Sequence, residues 1–185
     1  MLQEVMQELK GEFEATIGKF QKELAKIRTG RANVTMLDSV RVVYYGNPTP
    51  LNQLATVRVP EPRLITIQPW EKSVIADIEK AIGSSDLGLN PSNDGTLIRV
   101  PIPALTGERR ESLVKQARRI GEDHKIALRN QRRDANDMVK SLEKDSEITE
   151  DEMHRAFDEI NSLTDKYASK IDTLLETKEA EIREV

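Results

Sequence analysis

The 185 residues include no cysteine, which excludes disulfide frameworks, thiolate metal sites and thiol nucleophiles. Histidine occurs twice, as His124 and His154. His154 and Asp158 are spaced to share a helix face, but two ligands do not make a metal site, so both histidines read as surface or edge-of-core residues and no cofactor is expected. Aromatic residues make up only 4%, so the core must be thin and largely aliphatic. No apolar run approaches the roughly 18 residues that a membrane helix needs. Met1-Leu2-Gln3-Glu4 shows no basic segment leading into an apolar one, so no secretory signal is expected, and a soluble chain in the cytoplasm is. The one Gly-Lys pair, Gly18-Lys19, is followed by Phe20 and has Phe13 where a phosphate-cradling loop needs its first glycine. A Gly-x-Ser-x-Gly elbow is also missing. The carboxylate run Glu150-Asp151-Glu152 is explained by the first turn of a helix, where it complements the dipole. Catalysis by the chain itself is therefore not expected.

Proline is absent from two long tracts and crowded into one. All eight prolines fall between Pro48 and Pro103. On either side the apolar residues recur in steps of three and four, the signature of amphipathic helices. Leu2, Val5, Leu9, Phe13, Ile17, Phe20, Leu24 and Ile27 form one stripe, expected to end at Thr29-Gly30 with glycine in the left-handed conformation. A second helix is expected to open near Thr106, with Leu113, Ala117, Ile120, Leu128, Ala135, Met138 and Leu142 on its apolar face. A third begins at Thr149, with Glu152 three residues on in a capping-box pattern. It continues through Met153, Phe157, Ile160, Leu163, Tyr167, Ile171, Leu174 and Ile182.

Between these tracts the texture is β-type. Val40 to Tyr45, Leu54 to Val59, Leu64 to Gln68 and Thr96 to Val100 read as strands, and Ser73 to Ile82 as a short helix. Gly46-Asn47-Pro48-Thr49-Pro50 and Ser92-Asn93-Asp94-Gly95 read as turns, and Trp70 as a packing residue. The expected class is α+β: an elongated three-helix bundle from residues 1–29 and 106–185, with a small β/α/β domain, 30–105, inserted in it. Two connections would form a hinge, at Thr29, Gly30 and Arg31 and at Pro103, Ala104 and Leu105.

The net charge of −4 is unevenly spread. Residues 106–144 carry eleven basic against seven acidic side chains, whereas residues 145–185 carry five against thirteen. Such asymmetry points to a directed binding face. On a wheel of about 100° per residue zeroed on Leu113, Arg118, Lys125, Arg129 and Arg132 fall at about 100–160°, with Arg133 and Lys115 further round. They would form a ridge on the flank opposite the core. Arginine suits phosphate because its planar fork donates two parallel hydrogen bonds and stays charged, and a ridge of such groups can follow a sugar-phosphate backbone. The bland alternative is a merely solvated face, since Glu122, Asp134 and Asp137 supply intrahelical partners.

Arg129-Asn130-Gln131-Arg132-Arg133-Asp134-Ala135-Asn136 resembles the signature of the bacterial ribosome recycling factor family. The similarity extends to Lys26-Ile27-Arg28-Thr29-Gly30-Arg31-Ala32, to Tyr44-Tyr45-Gly46 with Thr49-Pro50-Leu51 and Gln53-Leu54-Ala55, to Ser85-Asp86-Leu87-Gly88-Leu89-Asn90-Pro91, and to Arg99-Val100-Pro101-Ile102-Pro103. It covers the entire chain. The resemblance implies a bundle and an inserted domain that together mimic a transfer RNA, acting as a monomer in the intersubunit cavity of the ribosome across the A and P sites. It implies contact with large-subunit ribosomal RNA through Arg132, with Arg129 and Arg133 beside it, and through Arg28 and Arg31 near the hinge. Elongation factor G, by hydrolysing GTP, would supply the energy to split the particle. Gly107 departs from the acidic residue common in relatives, and glycine is the poorer helix residue by about 1 kcal/mol. The competing expectation is a helical module that recruits partner helices without binding RNA; it needs exposed apolar area where the second helix offers charge.

Overall fold

The computed structural model describes residues 1–184. In chain order they form α1 (Leu2–Ala25), β1 (Arg41–Tyr44), β2 (Asn47–Pro50), β3 (Ala55–Glu61), β4 (Leu64–Pro69), α2 (Ile75–Gly83), β5 (Ser92–Asn93), β6 (Ile98–Pro101), α3 (Gly107–Lys144) and α4 (Glu150–Arg183). The chain divides into two compact units, Met1–Arg28 with Gly107–Glu184, and Thr29–Thr106.

The first unit packs α1, α3 and α4. The stripe of α1 buries Leu9, Phe13, Ile17, Phe20 and Leu24, together with Thr16. The Phe13 ring lies 5.2 Å from that of Tyr167 on α4, and Phe20 lies 5.2 Å from His124 on α3. A polar pair links α1 and α3 here: Gln131 Nε2 donates to Thr16 Oγ1 at 3.0 Å. A buried amide needs such a partner, because an orphaned one costs about 1–3 kcal/mol. The helix does not run to Thr29-Gly30 as its periodicity predicts. It closes at Ala25, where Lys26 and Ile27 donate to Glu23 and Leu24 three residues back. That tightening swings Ile27 into the core at 5% exposure. Gly30 does take a positive φ of 77°, but beyond the helix.

The third expected helix, now α4, starts as its capping box requires. Thr149 Oγ1 accepts from the Glu152 N–H at 3.3 Å, and Glu152 Oε2 accepts from the Thr149 N–H at 2.8 Å. The bonds that the Thr149 N–H and hydroxyl donate to it hold the Glu152 carboxyl below its usual pKa. Gly121 on α3 lets the neighbouring helix close in: a Cβ there would meet Leu175 at 3.3 Å and Ile171 at 3.9 Å. Met138, expected in the apolar stripe of α3, is instead exposed at 43%, and Val139 is buried in its place.

The second unit has its own core of Leu37, Val42, Ile65, Ile67, Ile78, Ile82, Ile98 and Val100, among others. Four strands form an antiparallel sheet in the order β3-β4-β6-β5, and β1 with β2 forms a separate hairpin. The hairpin corrects the expectation of a turn over residues 46–50. Asn47 to Pro50 is itself a strand, pairing Tyr44 with Asn47 and Arg41 with Pro50. The connection is the dipeptide Tyr45-Gly46, both at positive φ (45° and 79°), as the tight two-residue hairpin turn demands. Pro48 and Pro50 are two residues apart, so both imide nitrogens face away from β1 and the strand keeps its ladder. Ser92-Asn93, also expected in a turn, pairs with β6 as β5. Asp94 next to it accepts from the backbone N–H groups of Thr96 and Leu97 and from Arg99. Trp70 is not a packing residue: it is 65% exposed, its Nε1 donating to Thr56 Oγ1 at 3.2 Å. Two bonds pin the ends of this unit to one turn, Ala32 N–H to Pro62 O at 2.7 Å and Ile102 N–H to Arg63 O at 2.8 Å.

Candidate nucleic-acid interface

The basic residues of α3 have different electrostatic surroundings. Buried positions on that helix run from Leu113 through Ala117, Leu128 and Gly121 to Val114, so the buried arc spans about 0–100° from Leu113 at about 100° per residue. Its middle lies near 55°, not at zero. The ridge is therefore not opposite the core, as the wheel implied. Lys125 and Arg132 lie at the margin of the arc on the side of α4, and both are partly buried. A helix in a three-helix bundle carries two seams, one for each neighbour, and a wheel zeroed on one seam misplaces the other.

Two cations are held by carboxylates of α4. Arg118 makes a forked pair with Glu179, Nε to Oε1 at 2.7 Å and Nη2 to Oε2 at 2.8 Å. That pairing raises the guanidinium pKa and lowers that of the Glu179 carboxyl. Lys125 Nζ lies 2.5 Å from Asp172 Oδ1 and 3.6 Å from Glu122 Oε1, and the Asp172 hydrogen bond raises its pKa. Arg118 and Lys125 clasp α3 to α4.

Three arginines of the ridge remain available. The Arg129 guanidinium is 3.8 Å from Glu122, and that of Arg133 is 3.6 Å from Asp134, both pairs well exposed. Exposed pairs of such length contribute about 0–1 kcal/mol and yield readily to a phosphate. Arg132 has no hydrogen bond or ion pair among the described residues. Its helix neighbours at three and four residues are Leu128, Arg129, Ala135 and Asn136, none of them acidic. One turn on, the Asn136 side-chain oxygen is buried without a hydrogen-bond partner. A guanidinium with five donors and no internal acceptor is prepared for an external oxyanion. Arg28 and Arg31 lie in the segment between α1 and β1, outside regular secondary structure. Thr29 and Gly30 belong to the same segment, and Pro103, Ala104 and Leu105 to the irregular one before α3.

The model of the family described as "Ribosome recycling factor" matches residues 20–182. The chain belongs to the ribosome recycling factor family. It is 52% identical to the ribosome-recycling factor of Clostridioides difficile (strain 630) over 98% of each chain. It is equally identical to that of Bacillus subtilis (strain 168) over the full length of both. A solution structure of a ribosome recycling factor matches with a TM-score of 0.73 and 40% identity, covering 100% of this chain and 98% of the other. A second match, at a TM-score of 0.62, 44% identity and 98% coverage of both, is to a solved assembly. It is described as the T. thermophilus ribosome recycling factor and the E. coli elongation factor G bound to the E. coli post-termination complex.

Signals for the α3–α4 clasp are absent from the local sequence, because Glu179 lies 61 residues from Arg118. Only the heptad spacing common to Arg118 and Lys125 on one helix and Asp172 and Glu179 on the other hints at it. Among the described residues no cluster of three or more histidine, aspartate or glutamate side chains is arranged to hold a metal ion. Among the described residues no helix is long and apolar enough to cross a membrane.

The clasp has a pH signature. Glu179 has its carboxyl pKa depressed in the folded state, so its contribution is fully present above its ordinary value of 4.5 and is lost as pH falls through the depressed one. Wild type should therefore exceed Glu179→Gln in thermal midpoint at pH 7, and the gap should shrink as pH is lowered below the carboxylate range. A gap independent of pH between 7 and 3 would show that the charge of Glu179 contributes nothing.

Proposed function

We propose that the chain releases ribosomes from messenger RNA after termination, binding across the A and P sites in the intersubunit cavity. It contacts large-subunit ribosomal RNA through Arg132, Arg129 and Arg133, while Arg118 and Lys125, each paired with a carboxylate of α4, fix the helix that presents them. Arg28 and Arg31 make a second, smaller contact. The chain has no enzymatic activity of its own: elongation factor G, hydrolysing GTP, supplies the work that splits the particle. It acts as a cytoplasmic monomer.

One observation carries this reading: Arg132 stands unpaired in a ridge where Arg118, Lys125, Arg129 and Arg133 each have a carboxylate beside them. Phosphate is the anion that such a group accepts best, and ribosomal RNA presents it along a continuous backbone. The relative described together with elongation factor G on a post-termination complex supports the choice of partner. A hinge fits the same reading. Ala32 and Ile102 are pinned to adjacent residues, Pro62 and Arg63, inside the second unit, so the freedom to pivot falls to the stretches Thr29, Gly30, Arg31 and Pro103, Ala104, Leu105.

The test is polysome breakdown. Purified chain added to polysomes with elongation factor G and GTP should convert them to free particles, and omission of either factor should abolish the conversion. Polysomes left intact by the complete mixture would refute the proposal.

A further inference from the structure

The two clasps between α3 and α4 follow one rule. Arg118 meets Glu179, and Lys125, seven residues on, meets Asp172, seven residues back. The helices are antiparallel and in register, so each heptad step along one is matched by a heptad step back along the other. The next rung of this ladder is Arg132 and Asp165. No ion pair closes it: neither side chain has a hydrogen bond or salt bridge among the described residues. The neighbours of Asp165 at three and four residues are Asn161, Ser162, Ala168 and Ser169, so no cation one turn away on its own helix engages it. Backbone register thus places opposite an unpaired arginine a carboxylate that is itself unpaired.

We infer that Asp165 is an intramolecular competitor for Arg132, exchanging with an RNA phosphate for the same guanidinium and limiting how tightly the chain holds the ribosome. The inference rests on the proposed RNA-binding role of Arg132. A pair whose carboxylate is solvent-exposed is weak, which suits an exchange: the carboxylate cannot displace a bound phosphate outright, but it captures the guanidinium whenever the phosphate moves away. Rebinding is then slowed and departure favoured. The first two rungs do not exchange in this way, being a forked bond and a short contact.

Asp165→Asn removes the charge and keeps the shape, and because Asp165 is exposed and bonded to nothing, the fold should not change. Binding of the full chain to isolated large ribosomal subunits at low salt is expected to tighten about two- to fivefold, the range for one exposed ion pair. Slower dissociation should account for most of it, and the salt dependence should steepen as Arg132 counts fully toward phosphate neutralisation. In an Arg132→Ala background the same substitution should change nothing. If Arg132→Ala weakens binding but Asp165→Asn leaves it unchanged or weaker, the competitor role is overturned and the RNA-binding role of Arg132 stands. Tightening that persists in the Arg132→Ala background would reveal a bulk charge effect and also overturn it. Full affinity in Arg132→Ala alone would overturn both.

Discussion

Arg132→Ala is expected to weaken ribosome binding about ten- to a hundredfold, the loss of charge-assisted hydrogen bonds to phosphate worth about 1.5–3 kcal/mol. Folding should be untouched, because Arg132 has no hydrogen bond or ion pair among the described residues. The slope of log affinity against log salt should fall by about 0.7–0.9 for each phosphate that is no longer neutralised. Arg118→Ala makes the informative contrast. Its guanidinium is already committed to Glu179 by two bonds of 2.7 and 2.8 Å, so its removal should lower the thermal midpoint and weaken binding much less. Equilibrium binding to large subunits at several salt concentrations, beside thermal unfolding, separates the two variants. An equal fall in affinity for both would mean that the helix acts through net charge alone. Salt-insensitive binding, unaffected by either substitution, would point instead to a protein partner on the bundle.

Phe13→Ala should produce the largest loss of stability of any single truncation in the bundle, about 3–5 kcal/mol. Phe13 is 0% exposed, and its ring meets that of Tyr167, whose hydroxyl donates to Glu14 at 3.2 Å. Only three phenylalanines occur in the chain, and two of them, Phe13 and Phe20, are fully buried in this unit. Truncation would also strip Tyr167 of its ring partner. The position lies one turn from the Thr16–Gln131 pair, so the cavity would also loosen that polar link between α1 and α3. Since a domain is stable by about 5–15 kcal/mol in all, the loss is a large share. Urea unfolding followed by helical circular dichroism measures it, and a loss under about 1 kcal/mol would remove Phe13 from the centre of the core.

Elements whose signal is local were readable from the residues alone. The stripes of α1 and α4 and the Thr149–Glu152 box depend on spacings of three and four, which a sequence displays directly. The orientation of the basic ridge was not readable in the same way. Leu113 lies at one edge of the buried arc of α3, and only the partner helices fix where that arc is centred. Which cations are engaged was hidden for a related reason, since Glu179 and Asp172 reach them across the bundle. The β2 strand has no local signal because proline ordinarily argues against a strand; here both prolines turn their donor-less nitrogens outward. Ser146 at a φ of 59°, just after α3, carries no residue-type cue, since glycine is the usual occupant of that conformation. The type of Trp70 suggests burial, but its indole is bonded to Thr56 at the surface. The early end of α1 is a matter of two backbone bonds that no side chain announces.

Those outward-facing prolines bear on how the protein behaves in a crowded solution. A two-stranded ribbon has open rims, and an open rim is a template on which another molecule's backbone can zip itself. Along β2 that rim offers carbonyl oxygens but is missing the amide hydrogens that Pro48 and Pro50 would otherwise present. Strand-by-strand polymerisation from that side is thereby blocked at two positions, and the chain is spared one route into fibrils.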